Sequence, residues 1–227
     1  MTISRRTLLL GGAGTIGLMA LGLYVAQRQS ASSGLSLAAV ADEVTASAVG
    51  EAGALPDMVL GAADAKVTII EYGSFTCPHC AHFHETVYPE LKKNYIDTGK
   101  VKFMFREVYF DKFGLWAAMV ARCGGTEKYF PIADMIYDTQ KDWLGGGEPG
   151  VIGENLRKIG LKAGLSKETL ETCLADNEQA KLMVATYQKN ATADAIEGTP
   201  TFIINGEKFS NMSYEDLAKI LDAKLAG

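Results

Sequence analysis

"VTIIEYGSFTCPHCAHFHE", residues 67–85, decides how the chain folds. Val67 to Tyr72 is β-branched and aromatic, too short for a helix, and closed by Gly73 and Ser74, which reads as a buried strand. The period then changes. Cys80, Phe83, His84, Val87 and Leu91 recur at helical spacing, and Pro78 sits where a first-turn proline loses no hydrogen bond. A helix therefore starts at Cys77-Pro78-His79-Cys80. Pro89 lies inside it, lacks the N–H that would bond back to residue 85, and is expected to kink it. After Thr98-Gly99-Lys100, "VKFMFREVYF" at 101–110 is a second strand. Strand, helix and strand of these lengths make a right-handed βαβ unit with parallel strands.

Downstream, the texture is helical from Phe113 to about Asn190, broken by glycine-rich stretches such as Gly145-Gly146-Gly147. The aromatics Tyr109, Phe113, Trp116, Phe130 and Trp143 are expected to form the core of this block. Strand character returns in "GTPTFIINGEKFS", 198–210, where Asn205-Gly206 between two apolar runs is a type I′ hairpin signal. A last helix starts at Ser213, whose hydroxyl can cap it while Asp216 reaches back. The expected order is βαβ, a helical insertion, then ββα.

Upstream lies "MTISRRTLLLGGAGTIGLMALGLYVAQRQ", with Arg5 and Arg6 before an uncharged run from Thr7 to Ala26 and then Arg28. This is an export segment. Its length could just cross a bilayer, although five glycines make a poor permanent helix, so residues 1–26 read as a cleaved signal or a membrane anchor. "SRRTLLL" also resembles a twin-arginine signal. Small-residue cleavage sites stand at Ala31-Ser32-Ser33 and Ala39-Val40-Ala41. Residues 27–50, rich in Ala and Ser, read as a linker. The remainder divides into 51–112, the insertion 113–190, and 191–227. Loss of Arg5, Arg6 and Arg28 would take the net charge from -5 to -8. With no basic stripe to neutralise phosphates, nucleic acid is not an expected partner. The exported part would face an oxidising compartment.

Cys77 and Cys80 can form a disulfide across one helical turn. The helix N-terminus offers N–H groups without intrahelical acceptors, which favour a thiolate at Cys77. Cys80, on the apolar stripe, is expected to be buried with a higher pKa. The helix end alone is too weak: lowering a thiol pKa by about four units needs roughly 5 kcal/mol, and a helix terminus supplies at most ~2. The backbone N–H groups of His79 and Cys80 and the His79 ring are the further donors expected. Two alternatives stand beside redox exchange. One is a fixed structural disulfide. The other is a metal clip of Cys77, Cys80 and His84, which lacks the usual fourth ligand, so no metal site is expected. His82 and His84 otherwise read as ordinary helix residues, one wet and one at the rim. Cys123 and Cys173 fall on different helices of the insertion; in an oxidising compartment a bond between them is expected, with two unpaired buried thiols the alternative.

With "IIEYGSFTCPHC" and "GTPTFIING" as its specific elements, the region from about residue 55 to 227 resembles the DsbA-type thiol:disulfide oxidoreductases, a thioredoxin fold with an inserted helical domain. The resemblance implies an α/β thioredoxin fold, exchange of disulfides with substrate at Cys77, and resolution by Cys80. It also implies a buried carboxylate at Glu71 that assists proton movement, and Pro78 and His79 between the cysteines are expected to tune the Cys77 thiolate. A cis peptide is implied before Pro200, in a loop with Thr199 that pairs with extended substrate backbone. DsbA-type oxidants often carry Val at the position of Thr199, and Thr is common in isomerases of the fold. No cofactor is implied. The implied partners are extended or unfolded exported proteins with cysteines and a DsbB-type membrane quinone-linked oxidase, with the protein itself a monomer. An isomerase or reductase on the same fold, and a non-enzymatic periplasmic chaperone, are the competing functions.

Overall fold

The computed structural model describes residues 55–227. The export segment, the linker and residues 51–54 lie outside the described residues.

Five strands form one sheet in the order β1-β3-β2-β4-β5. The central strand β2, Val67–Gly73, pairs in parallel with β3, Val101–Glu107, and antiparallel with β4, Thr201–Ile204. β4 continues through a hairpin into β5, Glu207–Ser210. Asn205 and Gly206 at its turn both have positive φ, 47° and 85°, as a type I′ turn requires. The sequence pattern did not announce β1, Met58–Leu60, which lies antiparallel on the outer edge of β3. Three residues are too few to show a period.

The helix that starts at the cysteines is interrupted. α1 runs Pro78–Thr86, and the chain re-enters a helix at α2, Tyr88–Leu91, with Pro89 in its first turn. A wider π-turn, Lys92–Ile96, follows. The missing N–H of Pro89 thus produces a break at Val87 where a kink in one helix was expected. Six helices lie between β3 and β4: α3 Lys112–Cys123, α4 Gly125–Asp138, α5 Gln140–Leu144, α6 Pro149–Lys162, α7 Lys167–Leu174 and α8 Asn177–Ala193. α9, Tyr214–Ala226, closes the chain. Ser213 caps it through the Asp216 N–H at 3.2 Å, and its hydroxyl donates to the Asp216 carboxylate, so Asp216 reaches the Ser213 hydroxyl where the capping pattern pointed to its amide.

Because side chains alternate along a strand, Val67, Ile69 and Glu71 share one face of β2, and all three are fully buried. That face meets α1 through Phe83, whose ring lies 4.7 Å from that of Phe202 on β4. The opposite face carries Tyr72, packed with Val108 and Ile203. Two ion-pair clusters tie the sheet to its surroundings. Arg122 of α3 forks onto Glu107 at 2.6 and 2.7 Å, and Tyr129 of α4 donates to the same carboxylate. Arg106 bridges Asp57 and Asp194, with the Tyr72 hydroxyl between Arg106 and Asp194. Asp194 directly precedes the loop that carries Thr199-Pro200, so this cluster anchors one side of the site.

Cys123 and Cys173 are bonded to one another, with Cα atoms 5.9 Å apart, joining the end of α3 to α7.

Candidate active site

Cys77 is the N-cap residue of α1 in extended conformation, and Pro78 opens the helix behind it. Cys77 is half-buried, Cys80 fully buried, and both are free thiols here. Facing them, the Thr199–Pro200 peptide is cis. The Cys77 thiol donates to the Thr199 carbonyl at 3.4 Å. That carbonyl is backbone of the loop leading into β4, so the sulfur and an extended backbone segment sit side by side.

The two sulfurs are polarised in opposite directions. Cys77 is lowered from an ordinary 9.0 to about 5, most of all by the hydrogen bond from the Cys80 thiol, then by Thr199 and the backbone N–H groups of Cys80 and His79, against the effect of partial burial. Cys80 is pushed well up by burial, by its hydrogen bond to Cys77 and by the negative charge of Glu71. The Thr199 hydroxyl is buried without a hydrogen-bond partner, and its residue favours the charged form of both sulfurs. The neighbouring thiol is therefore the largest single contribution to the thiolate, ahead of either backbone N–H at the helix end. His79 acts through its backbone: the ring stands in solvent and makes no hydrogen bond among the described residues. Pro78 is exposed as well.

Titration of reduced protein, followed by thiolate absorbance, should therefore show a midpoint near 5 for Cys77. Since the folded value lies below the unfolded one of about 8.5, its contribution to the reduced fold is fully present above about 8.5 and lost as pH falls through about 5. Urea unfolding of the reduced and oxidised forms should show the reduced form alone losing this stabilisation in acid.

Glu71 is fully buried, in register between Phe105 and Phe202 on the neighbouring strands, and its charge acts on Cys80. Gly73 is required next to it: a Cβ there would fall 2.7 Å from the Phe105 ring and 3.1 Å from the Glu71 carboxylate. The metal alternative does not assemble: His84 places Nε2 at 3.1 and 3.2 Å from the two Glu71 oxygens, and among the described residues no three His, Cys, Asp or Glu side chains are grouped to hold a metal ion. His84 is 7% exposed, so it is not a rim residue. An i, i+4 offset from Cys80 on the apolar stripe is the signal that could have placed it inward.

One buried side chain bonded to the Cys77 loop escaped sequence reading entirely. Gln140 of α5 is buried, and its amide donates to the Phe75 carbonyl at 2.8 Å and the Cys77 carbonyl at 3.0 Å. It pins the loop that presents Cys77 to the helical insertion. Gln140→Ala should cost about 1–3 kcal/mol in urea unfolding, because two buried carbonyls lose a shared donor. No motif marks such a residue, since a glutamine 63 positions from Cys77 announces nothing by spacing.

A dithiol at the N-terminus of the first helix of this sheet, opposite a cis-proline and beside an inserted helical block, defines a thioredoxin-fold protein of the DsbA type. The chain belongs to the thioredoxin family: the family described as Thioredoxin matches residues 54–223. It is 37% identical over 170 residues to a Rickettsia conorii protein named as a protein-disulfide oxidoreductase, an alignment covering 74% of this chain and 60% of the relative. The chain thus spans less than two thirds of that relative's length. It is 27% identical over 181 residues to disulfide bond formation protein D of Bacillus subtilis, covering 74% of this chain and 77% of the relative. Among solved structures, Wolbachia pipientis alpha-DsbA1 superposes with a TM-score of 0.69 at 28% identity, covering 76% of this chain and 92% of that one.

Proposed function

We propose that the chain is an exported thiol:disulfide oxidoreductase that donates the Cys77–Cys80 disulfide to extended or unfolded proteins carrying cysteines. The opposite polarisation of the two sulfurs carries this reading. A substrate thiolate attacks Cys77 Sγ, the bond to Cys80 breaks, and a second substrate thiolate then releases Cys77. Cys77 leaves readily because it is a stable thiolate, and that stability makes its bridged form oxidising. The Thr199-Pro200 loop would hold substrate backbone beside the sulfur. A DsbB-type quinone-linked membrane protein would restore the disulfide. The site lies in an oxidising compartment in this reading, delivered there by residues 1–26; among the described residues, no helix is long and apolar enough to cross a membrane.

Equilibration of Cys77–Cys80 with glutathione tests it. The expected outcome is a disulfide that oxidises glutathione readily; a dithiol as reducing as thioredoxin's sinks the oxidase reading. A second reading, isomerase, is favoured by one observation, a threonine before the cis-proline that faces Cys77. Refolding of a scrambled disulfide substrate separates the two, since an oxidase does little there and an isomerase restores the native pairing.

A further inference from the structure

His84 is a buried titratable side chain to which exchange at Cys77 gives no task. Its ring stacks on Tyr137 of α4 with centroids 4.1 Å apart, lies tilted against Tyr88 of α2 at 4.6 Å, and meets the rings of Phe83 and Phe105 edge-on. Nε2 lies on the Glu71 carboxylate from β2, while Nδ1 is buried without a hydrogen-bond partner. The titratable groups around it are Glu71, Cys80 on its own helix, the two tyrosines, and Asp134 of α4. Asp134 is half-buried, its carboxyl is raised by burial, and its charge interacts with His84 and with Lys92. An aromatic box therefore holds one imidazole against the buried Glu71 carboxylate and within electrostatic reach of the less buried Asp134.

We propose that His84 is a positioning residue for proton transfer at Cys80, compensating the charge left on Glu71 when that carboxyl gives its proton to the departing sulfur. The inference rests on the exchange reading above. When a substrate thiolate attacks Cys77 Sγ, a bond to substrate sulfur forms as the Cys77–Cys80 bond breaks, and the electron pair of the broken bond stays on Cys80 Sγ. That sulfur, in an environment that disfavours its charge, takes a proton through Glu71, the carboxyl hydrogen-bonded to His84. The carboxylate that remains is buried between two phenylalanines and would be costly alone. With its Nε2 hydrogen-bonded to that carboxylate, His84 takes a solvent proton on the unpartnered Nδ1. One proton has then moved from solvent to the site and one from Glu71 to sulfur. In the reverse step the Cys80 thiol returns its proton to Glu71 as its sulfur attacks Cys77 of a mixed disulfide. The partner then departs as thiolate, and Nδ1 releases its proton.

The test separates the two sulfurs. Reduced protein mixed with oxidised glutathione forms a Cys77–glutathione disulfide, which Cys80 then resolves; both phases are followed by acid quench and mass measurement across the acid-to-neutral range. His84→Gln keeps a donor for Glu71 and cannot titrate. It should slow resolution by about tenfold and flatten its pH profile, with the first phase and the Cys77 titration unchanged. Glu71→Gln should slow the same phase, and the double variant should be no slower than the slower single one, because His84 acts only through Glu71. Resolution within about twofold of the parent at every pH, or additive slowing in the double variant, overturns the proposal. Should glutamine fail to fit between the tyrosine rings, the His84 ring signals in nuclear magnetic resonance carry the test. Reduction should protonate Nδ1, and an unchanged ring overturns the role. A parent protein that forms no mixed disulfide overturns the exchange reading itself, whereas a normal first phase with unaltered resolution overturns His84 alone.

Discussion

Cys77→Ser should lower disulfide exchange with a model peptide by about 10³-fold or more, since the variant keeps the fold and lacks the attacking and leaving sulfur. Cys80→Ser should behave differently. Its Cys77 still attacks, and the product accumulates as a mixed disulfide because nothing resolves it. A finer comparison tests the origin of the thiolate. The largest stabilising influence on Cys77 is the hydrogen bond from the Cys80 thiol. Cys80→Ala should therefore raise the Cys77 titration midpoint from about 5, while Cys80→Ser, which retains a hydroxyl donor, should raise it less. If both variants titrate with the parent, the backbone N–H groups and Thr199 suffice, and the asymmetry argued above is not the cause. If Cys77→Ser retains exchange, another sulfur carries it.

What the sequence disclosed, and what it withheld, follows from the range of the interactions involved. Val67–Tyr72, the CPHC turn and Asn205-Gly206 are local signals: strand propensity, a first-turn proline and positive φ are each settled within a few residues, so they could be read directly. Glu71 could be placed at the end of a strand, but only pairing with β3 and β4 puts it between Phe105 and Phe202. His84 was expected near the rim; the ring is interior because Tyr88 and Tyr137 enclose it from two other helices. His79 was expected to reach the sulfur with its ring, yet at the second position of α1 the side chain projects outward and the amide points inward. Gln140 and the short edge strand β1 were illegible for the same reason. Each is defined by a partner far along the chain, and neither has a pattern of its own.

Replacing Cys123 and Cys173 by alanine should lower stability by up to about 4 kcal/mol, the loop-closure value for the 50-residue separation the bond spans. For a domain of this size that corresponds to a fall of about 10 °C in Tm. The comparison belongs in a background of Cys77→Ser and Cys80→Ser, so that only this bond is changed. The loss should concentrate at α7, which has eight residues and buries only Leu170 and Leu174 along its length. So short a helix is not stable by its own hydrogen bonds. Beyond the disulfide it is held by the Arg157–Glu171 ion pair and by Leu170 seated over Gly160 of α6, where an added Cβ would fall 2.6 Å from the leucine. Hydrogen exchange should accordingly quicken first in α7, while amides of β2 and β3 in the centre of the sheet keep their protection. Uniform loss of protection across sheet and helices would instead mean that the bond acts on the unfolded chain alone, and that Leu170 and Arg157 hold α7 without it.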